Sequence, residues 1–301
     1  MRSAFFPKPK KFSNLYNPFL SQLSMVIYSH SKIKTFEQCP LRYKYKYLDK
    51  IPEPKETIEA YLGKVVHSVL EWLYTKLKEK SVPNIDELIN YYLLVWEKNY
   101  SDDLLIVRKE FSHKYYFEKG VEYLLSYYRN NFPFDKNTLE LEKKILIELD
   151  EKGIYKIQGF IDRLAFNLET NQYEIHDYKT ANSLPSKEQV EKDRQLALYS
   201  IAIKELFGHE KEVILIWHYL AHNQKIISKR TNEQLQNLKK ETLELIEQIE
   251  ATKKFPPYIS KLCDWCGYKS ICPAWGNHPP KQTTLKDFKV NGKEEDELDI
   301  L

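Results

Sequence analysis

Residues 154–180, IYKIQGFIDRLAFNLETNQYEIHDYKT, contain two runs in which apolar and polar residues alternate. The runs 154–166 and 172–178 have the period-two pattern and the β-branched and aromatic content that are typical of strands. The preceding run 138–149, TLELEKKILIEL, has the same character, and Gly153 supplies a turn after it. The pattern therefore predicts a meander of three consecutive strands.

Apolar residues at helical spacing are found on both sides of this meander. Helices are predicted from Ser29 or Ser31 to about residue 50 with an interruption at Pro40, at 58–80, 84–98 and 114–131, and at about 187–207 and 231–253. A further apolar strand, EVILIWHYL, is predicted at 212–220. This order indicates an α/β fold with one central mixed β-sheet, flanking helices and a helical insert at about 84–131.

Within the 301-residue chain, residues 25–276 are interpreted as a single domain that ends in a loop rich in cysteine and tryptophan. Residues 1–24 are interpreted as an N-terminal extension, because the recognisable pattern begins just after Met25. Residues 277–301 are polar and end in acidic residues, so we expect a flexible tail there.

Composition excludes some classes of protein. The chain is 42% hydrophobic, so it can bury a core, and its net charge of +3 does not by itself indicate a nucleic-acid partner. No run reaches the roughly 20 apolar residues of a membrane helix, and the first residues do not resemble a secretory signal. We therefore expect a cytoplasmic, reducing location without a membrane partner.

The four cysteines have spacing that indicates a metal centre. Cys263, Cys266 and Cys272 form C-x2-C-x5-C, and Cys39 lies near the start of the predicted domain. In a reducing location such a set is more typical of metal ligands than of disulfides or of buried free thiols. Both zinc and an iron–sulfur cluster accept four thiolates, so residue chemistry leaves the choice between them open.

The meander also carries an acidic pattern. Asp177 and Lys179 point to the same face of their predicted strand, and Asp162 lies on the neighbouring strand. Two carboxylates beside an ammonium group suit a Mg²⁺ or Mn²⁺ site at which the lysine orients or activates a water molecule. The alternative is an ordinary solvated cross-strand ion pair, which is common.

Three other features are ordinary when each is taken alone. His67 lies on a predicted helix, where most histidines are packed or capped. Gln195 and Tyr199 share one helical face at i and i+4. The run 42–47, RYKYKY, could contact nucleic acid with its basic residues, or could pack its tyrosines into the core.

Taken together and in order, these motifs resemble the RecB-like branch of the PD-(D/E)XK nucleases, in particular its members with an iron–sulfur staple. That branch includes the CRISPR-adaptation exonucleases and the nuclease domains of AddB-type helicase–nucleases. The resemblance covers about residues 28–276 and rests on six segments: SHSKIKTFEQCPLRYKYKYL, GKVVHSVLE, GFIDRL, IHDYKT, QLALY and CDWCGYKSICPAW.

The resemblance implies roles for individual residues. His67, Asp162 and Asp177 match the metal-binding residues of the family, the Tyr178 carbonyl is implied as a further ligand, and Lys179 matches the active-site lysine. Gln195 and Tyr199 match a QxxxY motif that lies along DNA in the family. The ligands of the family's 4Fe–4S cluster are matched by Cys39, Cys263, Cys266 and Cys272.

These roles lead us to expect a Mg²⁺- or Mn²⁺-dependent DNA nuclease, an exonuclease on single strands or DNA ends, with a structural 4Fe–4S cluster. The helical insert is a candidate surface for a protein partner. No G-x4-G-K-[ST] loop occurs, so we expect no ATPase activity within these residues. The alternative is a non-catalytic, metal-stapled DNA-binding or adaptor subunit of a repair or CRISPR complex.

Overall fold

The computed structural model describes residues 25–134 and 137–276. The expected N-terminal extension and the expected flexible tail lie outside these residues. Six strands form one sheet: β1 (Val26–Ser29), β2 (Asn137–Glu148), β3 (Tyr155–Asn167), β4 (Gln172–Lys179), β5 (Val213–Tyr219) and β6 (Gln224–Lys229). The helices are α1 (His30–Gln38), α2 (Pro40–Tyr43) with a π-helical turn (Lys44–Leu48), α3 (Ile58–Lys78), α4 (Ile85–Asn99), α5 (His113–Asn131), α6 (Lys187–Glu191), α7 (Gln195–Phe207) and α8 (Asn232–Ala251).

The sheet is mixed, as predicted. β2, β3 and β4 form the antiparallel meander, β4 pairs with β5 in parallel, and β5 pairs with β6 in an antiparallel hairpin. β1 pairs with β3 in parallel. The meander confirms the prediction from the alternating runs, and its turns contain Gly153 (φ 65°) and Asn171 (φ 57°), whose left-handed backbone suits those residue types.

One edge of β3 is shared by two strands. The other edge pairs with β2 over nearly the whole strand, so β1 and β4 both lie on the remaining edge, at opposite ends. β1 pairs up to Gln158, and β4 pairs from Arg163 onward. Residues 159–162 therefore face a fork where β4 diverges from β3, and we refer to this place as the β3–β4 fork.

Helices cover both faces of the sheet. α1, α7 and α8 pack on one face around a core that includes Ile157, Ile203 and Ile246. On the other face, α3, α4 and α5 pack together around Val66, Leu70 and other buried apolar residues. The predicted helical insert is thus α4 and α5, which bury one apolar stripe each against α3.

Local signals explain where the helices begin. The side chain of Thr57 caps α3, and Asn84 and Thr231 form capping boxes at the starts of α4 and α8. Ser29 caps α1, which ends before Pro40 as predicted. In the described part of the chain, no helix has both the length and the apolar character needed to cross a membrane.

Three elements differ from the prediction. The helix expected at about 187–207 is two helices, and between them Asp193 accepts a hydrogen bond from the N–H of Leu196 in the first turn of α7. The strands β1 and β6 were not predicted. β1 has only four residues, and β6 exposes most of its side chains, so neither run has enough alternation to be recognised.

Candidate active site

The two predicted carboxylates meet at the β3–β4 fork. The last residue pair of the β3–β4 ladder is Arg163 with His176, so Asp162 and Asp177 are the first residues beyond it. Where the ladder stops, the backbone N–H of Tyr178 donates to Asp162 Oδ2 at 2.9 Å and not to a carbonyl of β3. The Asp177 side chain is 5% exposed. The divergence of the strands creates the space into which both carboxylates point.

His67 reaches the same place from α3. Its Nε2–H donates to the carbonyl of Tyr178 at 2.7 Å, and its Nδ1 lies 3.4 Å from Asp162 Oδ2. One turn earlier, Gly63 lies against the end of β4, where an added Cβ would stand 3.3 Å from Thr180 Oγ1. The absence of a side chain at Gly63 therefore lets α3 approach β4 closely enough for His67 to join the site.

Glu142 is a site residue that the sequence did not reveal. Ligand atoms of His67, Glu142 and Asp162 lie within 4.8 Å of one another. Glu142 has φ 44° within β2, a conformation that is rare for a non-glycine residue and that clusters at functional sites. Its neighbours in β2 pair with β3 residues on either side of Asp162, which places Glu142 across from that carboxylate.

The site carries more negative than positive charge. Burial and the neighbouring Asp177 raise the pKa of Asp162 to about 7. Burial and the nearby Glu71 likewise raise the pKa of Glu142 above its ordinary range. Carboxylate, carbonyl and imidazole donors in a group with excess negative charge suit a divalent cation such as Mg²⁺ or Mn²⁺.

Lys179 lies against this group and is held as a cation. Its Nζ is 2.7 Å from Asp177 Oδ2 and donates to Gln195 Oε1 at 3.1 Å. Burial opposes the charge of this lysine, but the carboxylates of Asp177 and Asp162 outweigh burial and raise its pKa to about 12. The group is therefore protonated at neutral pH.

Gln195 and Tyr199 lie on one face of α7, as predicted, and that face is turned toward the fork. Tyr199 is 6% exposed, and its ring packs on Gly159, where an added Cβ would lie 2.4 Å from a ring carbon. Any larger residue at Gly159 would displace the tyrosine ring. The two side chains thus support Lys179 and the floor of the site, and Tyr199 does not lie on open surface.

The comparison with known families decides the family of this chain. A family model described as the PD-(D/E)XK nuclease superfamily matches residues 27–273. The chain belongs to the PD-(D/E)XK nuclease superfamily. Its mixed sheet with flanking helices is consistent with that fold, and membership indicates a phosphodiesterase nuclease of a group that uses divalent metals.

This PD-(D/E)XK chain also resembles a protein of known structure. A solved structure, "Crystal structure of SSO0001", is similar at 16% sequence identity and a TM-score of 0.37, and the match covers 83% of this chain and 86% of that one. A search of curated proteins found no match.

The four cysteines of this PD-(D/E)XK chain lie together at a second place. Cys39, Cys263, Cys266 and Cys272 line one small cavity of about 40 Å³, formed by the end of α1 and the C-terminal loop. Backbone N–H groups donate to two of the sulfurs, from Tyr258 to Cys39 and from Ser260 to Cys263, each at 3.4 Å. Donors of this kind stabilise thiolates, so the cavity suits a thiolate-bound metal group.

Two further observations bear on that group. The buried Nε of Arg42, a residue that lines the cavity, has no hydrogen-bond partner among the described residues. In the described part of the chain, only the His67, Glu142 and Asp162 group has three donor atoms within 4.8 Å of one another, so no three of the four sulfurs are that close together.

The basic run at 42–47 contributes tyrosines to the core and forms ion pairs within the chain. Tyr43 and Tyr45 are buried, and Arg42 and Lys44 form ion pairs with Glu53 and Asp49. The core interpretation of the two buried tyrosines is therefore the one that the structure supports.

The raised pKa of Asp162 has a consequence for stability. The folded-state value of about 7 lies above the ordinary 3.8, so the folded protein favours the protonated carboxyl. Its contribution to stability is full below about pH 4 and is lost as pH rises through about 7. In chelator, we expect Asp162→Asn, which stays neutral, to gain free energy of unfolding relative to wild type between pH 5 and pH 8.

Urea unfolding at four pH values measures this gain. Asp103→Asn, which changes a solvent-exposed aspartate, is the matched control and should track wild type at every pH. A difference between Asp162→Asn and wild type that does not change with pH would contradict the expectation.

Proposed function

We propose that this chain is a divalent-metal-dependent DNA nuclease, and that it acts as an exonuclease on single strands or DNA ends. The observation that carries the proposal is the convergence at the β3–β4 fork of His67, Glu142, Asp162 and Asp177 beside Lys179. A solvated surface ion pair, the alternative for such a pattern, would not leave the Asp162 and Asp177 side chains only 14% and 5% exposed and raise the pKa of Asp162.

The residues that would hold Mg²⁺ or Mn²⁺ are His67, Glu142, Asp162, Asp177 and the carbonyl of Tyr178. Adjacent ligands of an octahedral ion with bonds of about 2.1 Å are about 3 Å apart. His67 Nε2 and Tyr178 O are 2.7 Å apart, which is close to that spacing, so an ion that replaced the Nε2 proton could bind both atoms. A divalent ion bound there would neutralise charge on the phosphate and lower the pKa of water.

Lys179 is proposed to orient the attacking water. It is held by Asp177 and Gln195, so its Nζ has a fixed direction toward the fork. Because the amine is protonated, it donates hydrogen bonds to the water or to the phosphate and does not act as a base in this state. The oxygen of water adds to phosphorus and the bond to the 3′ oxygen breaks. One proton of the water passes to that leaving oxygen, the OH remains on phosphorus, and the product retains a 5′-phosphate.

The resemblance to RecB-like nucleases supports the exonuclease assignment, with Gln195 and Tyr199 as the QxxxY motif beside the strand being cut. For the helical insert we propose a protein partner. Leu93 and Leu94 on α4 are exposed by 36% and 59%, and adjacent apolar residues of this kind are typical of contact surfaces.

We also propose that the cysteine cavity holds a 4Fe–4S cluster with a structural role. Four tetrahedral sulfurs around zinc, with bonds of about 2.3 Å, would be about 3.8 Å apart. No three of the four described sulfurs lie within 4.8 Å of one another, and this spacing together with the unpaired Arg42 Nε favours the larger, anionic cluster over zinc. The cluster would join α1 to the C-terminal loop, and residues 25–276 would form one domain.

The experiment that tests the proposed function is cleavage of end-labelled single-stranded DNA in Mn²⁺ by the full chain. We expect wild type to release labelled products only with metal, and Asp177→Asn to lose at least about a hundredfold in rate. Glu151→Gln, which removes an exposed carboxylate from the β2–β3 turn, is the control and should cleave like wild type. Equal activity in wild type and Asp177→Asn would overturn the proposal.

A further inference from the structure

A buried cation lies directly behind the candidate active site. Arg163 follows Asp162 in β3, so its side chain projects to the opposite face of the sheet, where it is 2% exposed. The guanidinium carbon lies 4.2 Å from the centroid of the Tyr74 ring on α3. Arg163 therefore fills the interface between the sheet and the α3–α5 layer and has no access to substrate.

The contacts of Arg163 span the β3–β4 fork. Its Nε donates to the hydroxyl of Tyr178 at 3.1 Å, and its Nη2 lies 2.8 Å from the nearer ring nitrogen of His176. These two residues flank Asp177 on β4. Arg163 and His176 are also the last residue pair before the strands diverge. A single side chain thus joins β3 to β4 at the place where the backbone ladder ends.

Tyr178 connects this back face to the site. Its backbone N–H donates to Asp162, and its carbonyl accepts from His67. Its side chain, on the opposite face, is held by Arg163 and lies 3.3 Å from the hydroxyl of Tyr127 on α5. The position of Tyr178 therefore sets the spacing of Asp162 and His67, and Arg163 sets the position of Tyr178.

Burying the charged guanidinium of Arg163 costs free energy, so its presence behind the site needs an explanation. Moving a guanidinium out of water costs several kcal/mol, and an apolar side chain of similar volume is often at least as stabilising at such a position. Burial opposes the charge of Arg163, yet the surrounding tyrosines keep its pKa raised, so the cation is retained. Stability alone does not account for this residue as well as a geometric role does.

We propose that Arg163 is a positioning residue that clamps β4 to β3 behind the fork and thereby fixes the spacing of the metal-binding groups. This inference rests on the proposed function, because it assigns Arg163 to the same metal site. Without the clamp, β4 could shift relative to β3 beyond the last ladder pair, and the donors of Asp162, Asp177 and Tyr178 would lose their alignment.

The test measures Mn²⁺ affinity of the full chain by the EPR signal of free Mn²⁺, without DNA. We expect Arg163→Met to bind Mn²⁺ about 10- to 100-fold more weakly, which is the usual effect of removing a partner that orients metal ligands. Tyr178→Phe, which loses only the hydroxyl that Arg163 holds, should weaken binding in the same direction. Arg163→Lys should restore part of the affinity.

Tyr74→Phe is the matched control. It removes a buried hydroxyl, bonded to Tyr127 at 2.6 Å, from the same network but keeps the ring over the guanidinium, and it reaches Tyr178 on β4 only indirectly, through Tyr127. It should lower the thermal midpoint and leave the Mn²⁺ affinity at the wild-type value. A purely structural role for Arg163 would instead make affinity follow stability in all variants.

The outcomes separate the clamp from the proposed function. Wild-type Mn²⁺ affinity in folded Arg163→Met, or an equal loss of affinity in Tyr74→Phe, overturns the clamp while the proposed metal site stands. If Arg163→Met does not fold, Arg163→Lys and Tyr178→Phe decide by the same criterion. A wild-type protein that binds no Mn²⁺ at all overturns the proposed function and the clamp with it.

Discussion

Lys179→Met should abolish DNA cleavage while the protein remains folded and still binds Mn²⁺. Positioned proton donors and acceptors commonly contribute 10²–10⁴-fold to rate, and we expect a loss of about that size. The reason is geometric, since Nζ of Lys179 is fixed between Asp177 Oδ2 and Gln195 Oε1 and no other described lysine is paired to Asp177. The measurement is the single-turnover rate on end-labelled single-stranded DNA at saturating Mn²⁺.

Lys156→Met is the matched control for this prediction. Lys156 also lies on a strand of the sheet, β3, but outside the fork. Its side chain is 15% exposed and its Nζ lies 2.6 Å from Glu148 Oε1. It should therefore lose stability without losing rate. A Lys179→Met protein that cleaves at the wild-type rate would remove the lysine from the proposed mechanism, whatever the metal site does.

The acidic part of the site was predictable because side-chain direction in a strand follows from sequence. Asp177 and Lys179 share a face by alternation alone, and the structure places Asp162 beside them across the fork. What alternation does not give is the divergence of β3 and β4. Beyond the divergence, the same edge of β3 pairs with β1, which has only four residues and was not predicted.

Glu142 could not be predicted for a related reason. It lies in TLELEKKILIEL, where alternation suggests only a solvent-facing acid. Its left-handed backbone at φ 44°, close to a register shift between Thr138 and Glu140, turns it toward His67 and Asp162. A local departure from regular strand geometry is set by tertiary packing, so the residue type and its spacing carry no signal for it.

The helices and the cysteine loop were easier to predict, since capping residues and apolar stripes act locally. The spacing of Cys263, Cys266 and Cys272 indicates a metal centre, and the fold brings Cys39 to the same cavity from the other end of the domain. The chain ends of the domain are thus neighbours in space. This gives the cysteine cavity a stronger expected effect on stability than any single core contact.

Cys266→Ser should therefore unfold at a much lower temperature than wild type and contain little metal. Binding a structural metal group to thiolates adds its free energy directly to folding, and the proposed group would close a loop of more than 200 residues between α1 and the C-terminal loop. We expect a loss of several kcal/mol from a total stability of about 5–15 kcal/mol. Anaerobic purification, iron and sulfide analysis and thermal unfolding measure both effects.

Ser260→Ala is the control for the cysteine prediction, because it removes the side chain that accepts the N–H of Leu262 in the same loop but no sulfur. It should keep about four irons per chain, as a 4Fe–4S cluster on four cysteines requires. One zinc per chain with no iron would keep the staple and overturn the cluster assignment. Wild-type stability and metal content in Cys266→Ser would overturn the proposal that a metal group joins the two ends of the domain. A cysteine whose removal changes neither the stability nor the metal content does not hold those ends together.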